Sequence, residues 1–566
     1  MKKTNLFPWI LASGTTLLFV AAWLWIICPA LNIHNLGLWT LIAAALFVFI
    51  FVFRAAGGHR DFPLKKKPGK AKKAAEWEIS LVTTGKSMAV YLLPAAVLAV
   101  MGLIVLFGSP VFNATDYAAI RSAKESDFAA DLAESVGTDS IALMDTASAQ
   151  MLGDREIGSL SDVVSQFDVA WDYTQIDFGG KPIKVAPLEY AGFFKWINNS
   201  QKGVGGYVTV DPVSMSASFR RCEGMKFIPS AYFTEDAARY LWMQYPTLML
   251  ENLHFEIDEE GKPYYVASVI EKTIGLFGGK TVSGCVVLDP VTGETVHYAL
   301  AEIPRWVDVV FDGYLICEQY NWNGLYGHGF WNSLFTKKDC KQVTTYYVSD
   351  NAEEEEEDAA PVSDFGYIAK DGDIWIYTGI TSVNGDSSNI GFLLANERTG
   401  ESRYYVIAGA DEKSAMAAAE GEVQEKRYQA SFPSLINISG EPTYIMVLKD
   451  SGGLVKLYAT VNVQQYNLVT TAPTQAECIQ KYKALLGIDT PTQPEQEAAT
   501  ATVTIAAIHQ LVVDGDTYFY LVDTKEAIYR AKAASHPKML LLKAGDKVTL
   551  TLNGDEVTAW EMAKKK

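Results

Sequence analysis

Three uncharged apolar runs constrain this chain more than any other feature: Trp9 to Cys28, Leu36 to Phe53 and Met88 to Gly108, each 18 to 21 residues long. That is the length a helix needs to cross about 30 Å of hydrocarbon. A cleaved leader would have a shorter apolar core and then soluble sequence, whereas here the first run passes almost directly into the second. Bulky Ile26 and Ile27 precede Cys28, which is not a lipoprotein context. No Asp, Glu, Lys or Arg lies inside a run. Transporters and channels place ionisable groups there, so the expectation is an anchor and not a conduit.

Basic residues set the expected orientation. Lys2 and Lys3 precede the first run, and the loop at 54–87 carries nine more Lys and Arg, whereas Pro29 to Asn35 carries none. The positive-inside rule then places the N-terminus and the basic loop in the cytoplasm and everything after about Ser109 outside. This predicts a multi-pass plasma-membrane protein whose C-terminal region is extracytoplasmic and whose first partner is the lipid bilayer. Of the net charge of −18, residues 1–87 hold eleven Lys or Arg against three acids, leaving −26 on the remainder. Such an acidic outer part excludes nucleic acid as a partner.

Beyond the anchor, expected over 1–110, the sequence reads as α+β: repeated modules of a helix with an antiparallel sheet, then a small β-barrel. Asp116 to Ser135 reads as a helix leaving the membrane, and a second helix is expected to start near Ser159. A helix, a strand, a Gly-x-Pro turn into a second strand, and a third strand opening with Gly can be traced three times. The turns are Gly180-Lys181-Pro182, Gly261-Lys262-Pro263 and Gly440-Glu441-Pro442, and the third strands open at Gly206, Gly284 and Gly453. Gly and Pro set such turns, and apolar residues line the covered face. Asp289-Pro290-Val291-Thr292-Gly293-Glu294 is a tight connection in which Gly293 takes positive φ. A separate echo, Gly391 to Glu401, ends in the same Thr-Gly-Glu.

A helix, a strand, Gly-x-Pro-x-Tyr-Val, and a Val-rich strand ending Asp-x-x-Thr-Gly-Glu resemble the PepSY-type domain, best over 233–300 and more weakly over 157–215 and 411–463. That resemblance implies an α+β module with a binding or inhibitory role and brings no catalytic residues. The whole chain also resembles membrane-anchored envelope proteins of anaerobic Gram-positive bacteria.

The expected organisation is two such units in 111–347, an acidic linker at 348–364, a third unit at 365–487, a Pro- and Gln-rich linker at 488–498, and an OB- or SH3-like barrel at 499–566. A hairpin about Asp514-Gly515 and a strand entry at Gly545-Asp546-Lys547-Val548 carry the barrel reading. The run of acids at 353–358 lacks the interleaved Gly and spaced Glu of a calcium loop.

One segment stands out as a candidate ligand surface: Trp306, Trp322, Tyr326, His328 and Trp331, with Asn321 to Gly329 read as a polar aromatic loop. Rings beside Asn suit sugar stacking or peptide recognition. His328 has no nearby His or Cys at ligand spacing, and neither a metal nor a cofactor is expected. The six cysteines contain no CxxC pair, and a Cys317–Cys340 bridge stands beside buried thiols as the alternatives.

The expected function is therefore a membrane-tethered extracytoplasmic binding or scaffold protein of the cell envelope, holding an envelope protein, a peptide or a wall polymer, and not an enzyme. The alternatives are a regulator of an envelope peptidase and a glycan or peptide hydrolase. The hydrolase requires a converging pair of carboxylates, such as Asp308 and Asp312, in a cleft beside Trp322 and Trp331.

Overall fold

The computed structural model describes residues 6–56, 89–132, 143–144, 146–160, 163–347, 361–363, 365–383, 388–488, 499–513, 516–525, 527–533, 535–553 and 556–563. Nearly all of the basic loop, most of the acidic run, the second linker, Asp145 and the Asp514-Gly515 turn lie outside them. The chain divides into two compact units, Met1–Tyr482 and Lys483–Lys566.

Among the described residues two helices are long and apolar enough to cross a membrane, α1 (Phe7–Ile27) and α2 (Leu36–Ala55). The third apolar run forms α3 (Leu92–Phe107), which follows a 3-10 turn and reaches spanning length only together with α4 (Pro110–Ile120), across a bend of 55°. The break has a local cause. Ser109 precedes a proline and is held extended at ψ 165°, so the helix stops and restarts with Pro110 in its first turn.

Four sheets of five, four, seven and five strands follow among the described residues of the first unit, each built on a meander of four antiparallel strands, and those meander strands are the ones named here. Helix α5 (Thr146–Gly158) precedes sheet I, made of β1 (Thr174–Phe178), β2 (Lys181–Tyr190), β3 (Val204–Asp211) and β4 (Ser216–Met225). Helix α6 (Ala237–Gln244) precedes sheet II, made of β5 (Met249–Ile257), β6 (Pro263–Ile274), β7 (Gly278–Leu288) and β8 (Thr295–Ala299). Helix α7 (Gly313–Tyr326) precedes sheet III, made of β9 (Gly366–Lys370), β10 (Asp373–Ser382), β11 (Ser388–Asn396) and β12 (Ser402–Tyr405). Helix α8 (Glu412–Glu422) precedes sheet IV, made of β13 (Ser434–Ile438), β14 (Glu441–Lys449), β15 (Val455–Asn462) and β16 (Val469–Ala472).

The sheets stack face to face in chain order. Tyr265 and Ala267 share a core with Val208 of sheet I, and their neighbour Val266 shares one with Ile376 of sheet III. Tyr377, next to Ile376, packs in turn with Tyr444 and Met446 of sheet IV. Successive strand residues point to opposite faces, so a strand covered on both sides must be apolar at nearly every position. This is why residues 264–267 of β6, 374–377 of β10 and 444–448 of β14 read as unbroken apolar runs. Helices fill the wedges between sheets, Leu241 between I and II, Ile316 between II and III, and Ala415 between III and IV. The first strands converge: β1 packs on β5 and β10, and β9 on β13. Gln175, Lys184, Tyr367 and Ser434 line a cavity of about 130 Å³ where sheets I, III and IV meet.

One turn recurs in every sheet. At the exit of the third strand, Asp211, Asp289, Asn396 and Asn462 each turn a side-chain oxygen back onto two backbone N–H groups two and three residues ahead, at 2.8–3.1 Å. Gly293 and Gly400 follow in sheets II and III with φ of +75° and +74°. A fixed Asx turn explains why those sequence stretches look alike.

Several expectations are corrected. The echo Gly391 to Glu401 is β11 and its turn, within a complete sheet III, so 365–487 holds two sheets where one unit was expected. Asp116 to Ser135 is not one helix, because Arg121 turns extended and is drawn into buried hydrogen bonds. The helix expected to begin near Ser159 ends at Gly158 instead. Lys341–Val343 pairs with β10, and Thr345–Tyr347 with Pro361–Ser363, so the segments flanking the acidic run belong to paired strands. Of the two alternatives for Cys317 and Cys340, the structure has the buried free thiols and no bridge.

In the second unit, β17 (Ala499–Val513), β18 (Asp516–Asp523), β19 (Ile528–Lys532), β20 (Lys547–Asn553) and β21 (Glu556–Met562) pair in the closed order β17-β18-β19-β21-β20. Ile505, Phe519, Val548 and Leu550 fill the interior.

Asp289 is buried, and it also holds the Lys262 ammonium at 2.8 Å, tying the two turns of sheet II together. Asp289→Ala is expected to cost about 1–3 kcal/mol in denaturant unfolding of the first unit. Asp289→Asn, which keeps the turn acceptor, is expected to cost less.

Candidate functional site

Asn321 to Tyr326, most of the stretch read as a polar aromatic loop, form the end of helix α7. Its Asn and Gly residues serve tertiary contacts: Asn323 Nδ2 donates to the Ala118 carbonyl at 2.7 Å, and Asn321 Oδ1 accepts from Val343 N at 2.9 Å. A Cβ on Gly324 would collide with the Lys341 carbonyl, so the glycine admits the strand Lys341–Val343 against the helix.

The five candidate residues divide. Trp322 meets Tyr117 of α4 edge-on at 5.0 Å, and Tyr326 lies 6.4 Å from the same ring. The Tyr117 hydroxyl donates to the Gly108 carbonyl at 3.0 Å, so both rings brace α7 against the end of the third apolar helix. Tyr326 passes through Phe330 to Trp331, which stacks on Phe335 at 5.8 Å. Trp331 and Phe335 are 61% and 75% exposed and form an open apolar face with Leu334. His328 is exposed and lies 3.9 Å from Asp339. Trp306 is elsewhere, stacked on Tyr264 at 4.6 Å. Among the described residues no group of three His, Cys, Asp or Glu is placed to hold a metal ion.

A carboxylate cluster does converge, but in a sealed interior. Glu256 and Asp308 are 0% and 1% exposed. Glu256 accepts from Asp308 N and Val309 N at 2.9 Å and from His254 Nε2 at 2.8 Å. Asp308 Oδ2 accepts from Asp177 N of β1 at 2.7 Å. Burial first, then the charge of Glu256, raises the Asp308 carboxyl well above its usual range. Burial first, then the charges of Asp312 and Glu256, does the same to Glu397. Burial also pulls the His254 imidazole down, but the hydrogen bond and charge of Glu256 outweigh it, and its pKa is raised. His254 Nδ1 faces the Asn252 carbonyl at 2.8 Å, so both ring nitrogens have acceptors and the ring is built to hold two protons. A buried anion satisfied this way is a cross-link between elements, and Trp322 and Trp331 pack with other rings. The sequence signal was the alternation His254-Phe255-Glu256, which puts the first and third side chains on one face of a strand.

A third feature joins the body to the membrane helices. The uncharged loop between α1 and α2 docks on sheet II and α6: Trp242 Nε1 donates to Pro29 O at 2.9 Å, Leu31 N to Pro246 O at 2.6 Å, and Asn32 Nδ2 to Thr247 O at 3.1 Å. His34 Nδ1 bonds to Leu276 O at 2.9 Å in the β6–β7 turn. Arg239 caps the end of α1 through the Trp25 carbonyl and ring.

No protein-family model and no curated protein matches the chain. Solved structures with some likeness include an apocarotenoid oxygenase from Synechocystis (8% identity, 54% of this chain and 65% of that chain, TM-score 0.17). An exo-β-1,3-galactanase from Phanerochaete chrysosporium (10% identity, 62% and 73%, TM-score 0.17) and a levansucrase from B. megaterium (8% identity, 76% and 92%, TM-score 0.20) are two others. At these TM-scores the likenesses carry no inference about this chain.

The cluster makes a pH prediction. A histidine whose folded pKa is raised stabilises fully below its unfolded value and loses that contribution as pH rises through the folded one. The raised carboxyls of Asp308 and Glu397 act with the same sign, starting from the ordinary carboxylate range. The unfolding midpoint of the first unit is therefore expected to fall as pH rises from about 4, and to fall further as pH rises above about 6.5, where His254 adds its share. His254→Gln should flatten that decline, and Glu256→Gln should cost about 3 kcal/mol by leaving buried donors short of an acceptor.

Proposed function

We propose that this chain is a membrane-tethered extracytoplasmic binding or scaffold protein of the cell envelope, crossing the plasma membrane three times with its N-terminus in the cytoplasm. The observation that supports it is where the membrane helices meet the body. The α1–α2 loop bonds to the β6–β7 turn and α6, and Gly108 at the exit of α3 accepts from Tyr117 and lies against Ile274 in the same turn region. If α1, α2 and α3 each cross, the uncharged loop and the body share one side and the Lys/Arg-rich loop is on the other, as the positive-inside rule requires. The third crossing is read as α3 continued by α4 across their 55° bend, since α3 reaches spanning length only with it.

The helix-plus-sheet units are read as PepSY-like recognition modules, and the closed five-strand sheet as an OB- or SH3-type barrel that contacts protein. Recognition is favoured over catalysis because the converging carboxylates Glu256 and Asp308 are sealed and bound to backbone N–H groups. The exposed face of Trp331, Leu334 and Phe335 is the candidate contact for a peptide or wall polymer, since rings give large contact area at little entropic cost.

Two measurements test this. With native cysteines replaced, a cysteine at His328 should react with a membrane-impermeant maleimide on intact cells, and one at Lys70 only after lysis. The reverse pattern refutes the orientation. Trp331→Ala combined with Phe335→Ala should lower retention on isolated wall material or its peptides by about tenfold, about 1.4 kcal/mol, with no change in unfolding midpoint. Unchanged retention removes this face as the contact.

A further inference from the structure

The junction between membrane helices and body encloses a cavity of about 650 Å³. Its walls are mixed. Ile27 and Leu36, at the adjoining ends of α1 and α2, meet Trp242 and Phe277 of the body and make an apolar side continuous with the surface of the two helices. The other side carries Glu251 and Lys272.

Glu251 of β5 is ion-paired with Lys280 of β7. Lys272 of β6 stands directly opposite Lys280 in the strand register, so the two cations are neighbours; Glu251 is bonded to Lys280, and Glu251 and Glu318 act on Lys272 only through their charge. Among the described residues Lys272 has neither a hydrogen bond nor an ion pair, yet it is half-buried, and burial lowers its pKa. Leaving an ammonium partly desolvated with no hydrogen-bonded counter-ion is costly, and an anion placed in the cavity would relieve that cost. Asn35 caps α2 beside it, accepting from Gly37 N at 2.6 Å, so the helix end adds a weak positive field to the same space.

We propose that this cavity binds the anionic phosphate headgroup of a membrane lipid, with Lys272 holding the phosphate and the Ile27–Leu36 side receiving the start of an acyl chain. The proposal rests on α1 and α2 lying in a bilayer. The choice of a lipid over free phosphate follows from the apolar wall, which an inorganic ion would leave unfilled. Lipid held there would tie the α1–α2 loop to α6 and stabilise the docked body.

The test uses the full chain in mild detergent micelles, with bound lipid counted by native mass spectrometry and stability followed by thermal unfolding. Wild type should retain one phosphatidylglycerol at least about tenfold more tightly than phosphatidylcholine, and inorganic phosphate should give no comparable stabilisation. Lys272→Gln should weaken phosphatidylglycerol binding about tenfold, and Lys272→Arg should preserve it. Glu251→Gln, which releases Lys280, should tighten binding, so the sign of the effect reverses between two variants of one cavity. Equal binding of the two lipids, or unchanged binding in Lys272→Gln and Glu251→Gln, overturns the proposal. Stabilisation by phosphate alone to the same degree reassigns the site to a free anion and overturns the lipid source. Sedimentation of the same protein with vesicles separates the two readings: a chain that inserts but shows no lipid preference sinks only the site, whereas one that stays in solution sinks the membrane reading itself.

Discussion

The buried carboxylate of Glu256 is the contact on which the first unit depends. It holds the backbone of Asp308 and Val309, and through them the whole segment 307–312, at the meeting point of three sheets. From that segment Asp308 reaches β1 of sheet I, Ser268 of sheet II donates to the Val310 carbonyl at 2.8 Å, and the N–H groups of Val310 and Phe311 donate to Glu397 O of sheet III at 3.0 and 2.6 Å. Six residues without regular structure thus close the hydrogen bonds of three sheet ends. Buried backbone groups need such partners, and a carboxylate with several acceptor sites supplies them compactly. The arrangement also accounts for the chemistry of the cluster. Burial and neighbouring negative charge raise the carboxyls of Asp308 and Glu397, and Glu256 and Asp308 are bonded to backbone N–H groups, which makes the cluster structural.

A second set of contacts transmits this rigidity to the apolar helices. Arg121, just after α4, is buried and donates to Gln319 Oε1 of α7 at 2.8 Å, to Gly400 O at 2.6 Å and to Ser402 Oγ at 2.7 Å, with its guanidinium 5.4 Å over the Phe311 ring. Burial lowers its pKa to about 10, which still leaves it charged at neutral pH. The exit of the apolar helices is therefore bonded to α7, to sheet III and to the Glu256-held segment. On the other side the α1–α2 loop is bonded to α6 and sheet II. The body is gripped at two places in the chain, not hung from a single linker.

How much of this was legible in the sequence follows from the range of each interaction. The apolar runs and the Gly-x-Pro and Asp-x-x-Thr-Gly turns were readable because length, charge and turn conformation are local properties. The α+β character and the antiparallel sheets followed from them. Sheet III was half-seen, as an echo, because its first turn is Asp371-Gly372-Asp373 and has no proline to mark it. Helix α7 was misread because Asn321, Asn323 and Gly324 weigh against a helix locally, while their partners, Val343, Ala118 and Lys341, are distant in sequence or invisible to periodicity. Trp322 and Tyr326 both lie against Tyr117, whereas Trp306 stacks elsewhere on Tyr264, because sequence proximity across a turn does not fix direction. Glu256 was passed over since one acid in a strand says nothing until the segment it holds is known. The junction loop was informative only through its lack of charge.

Native-state hydrogen exchange at the amides of Asp177, Asp308, Val309, Val310 and Phe311 tests the central claim most directly. If Glu256 and the segment it holds close the three sheets into one cooperative body, these five amides should exchange only by global unfolding of the first unit. Their opening free energies should then equal one another and fall together in Glu256→Gln. Exchange of 308–311 through a local opening well below the global value, with Asp177 still protected, would contradict it.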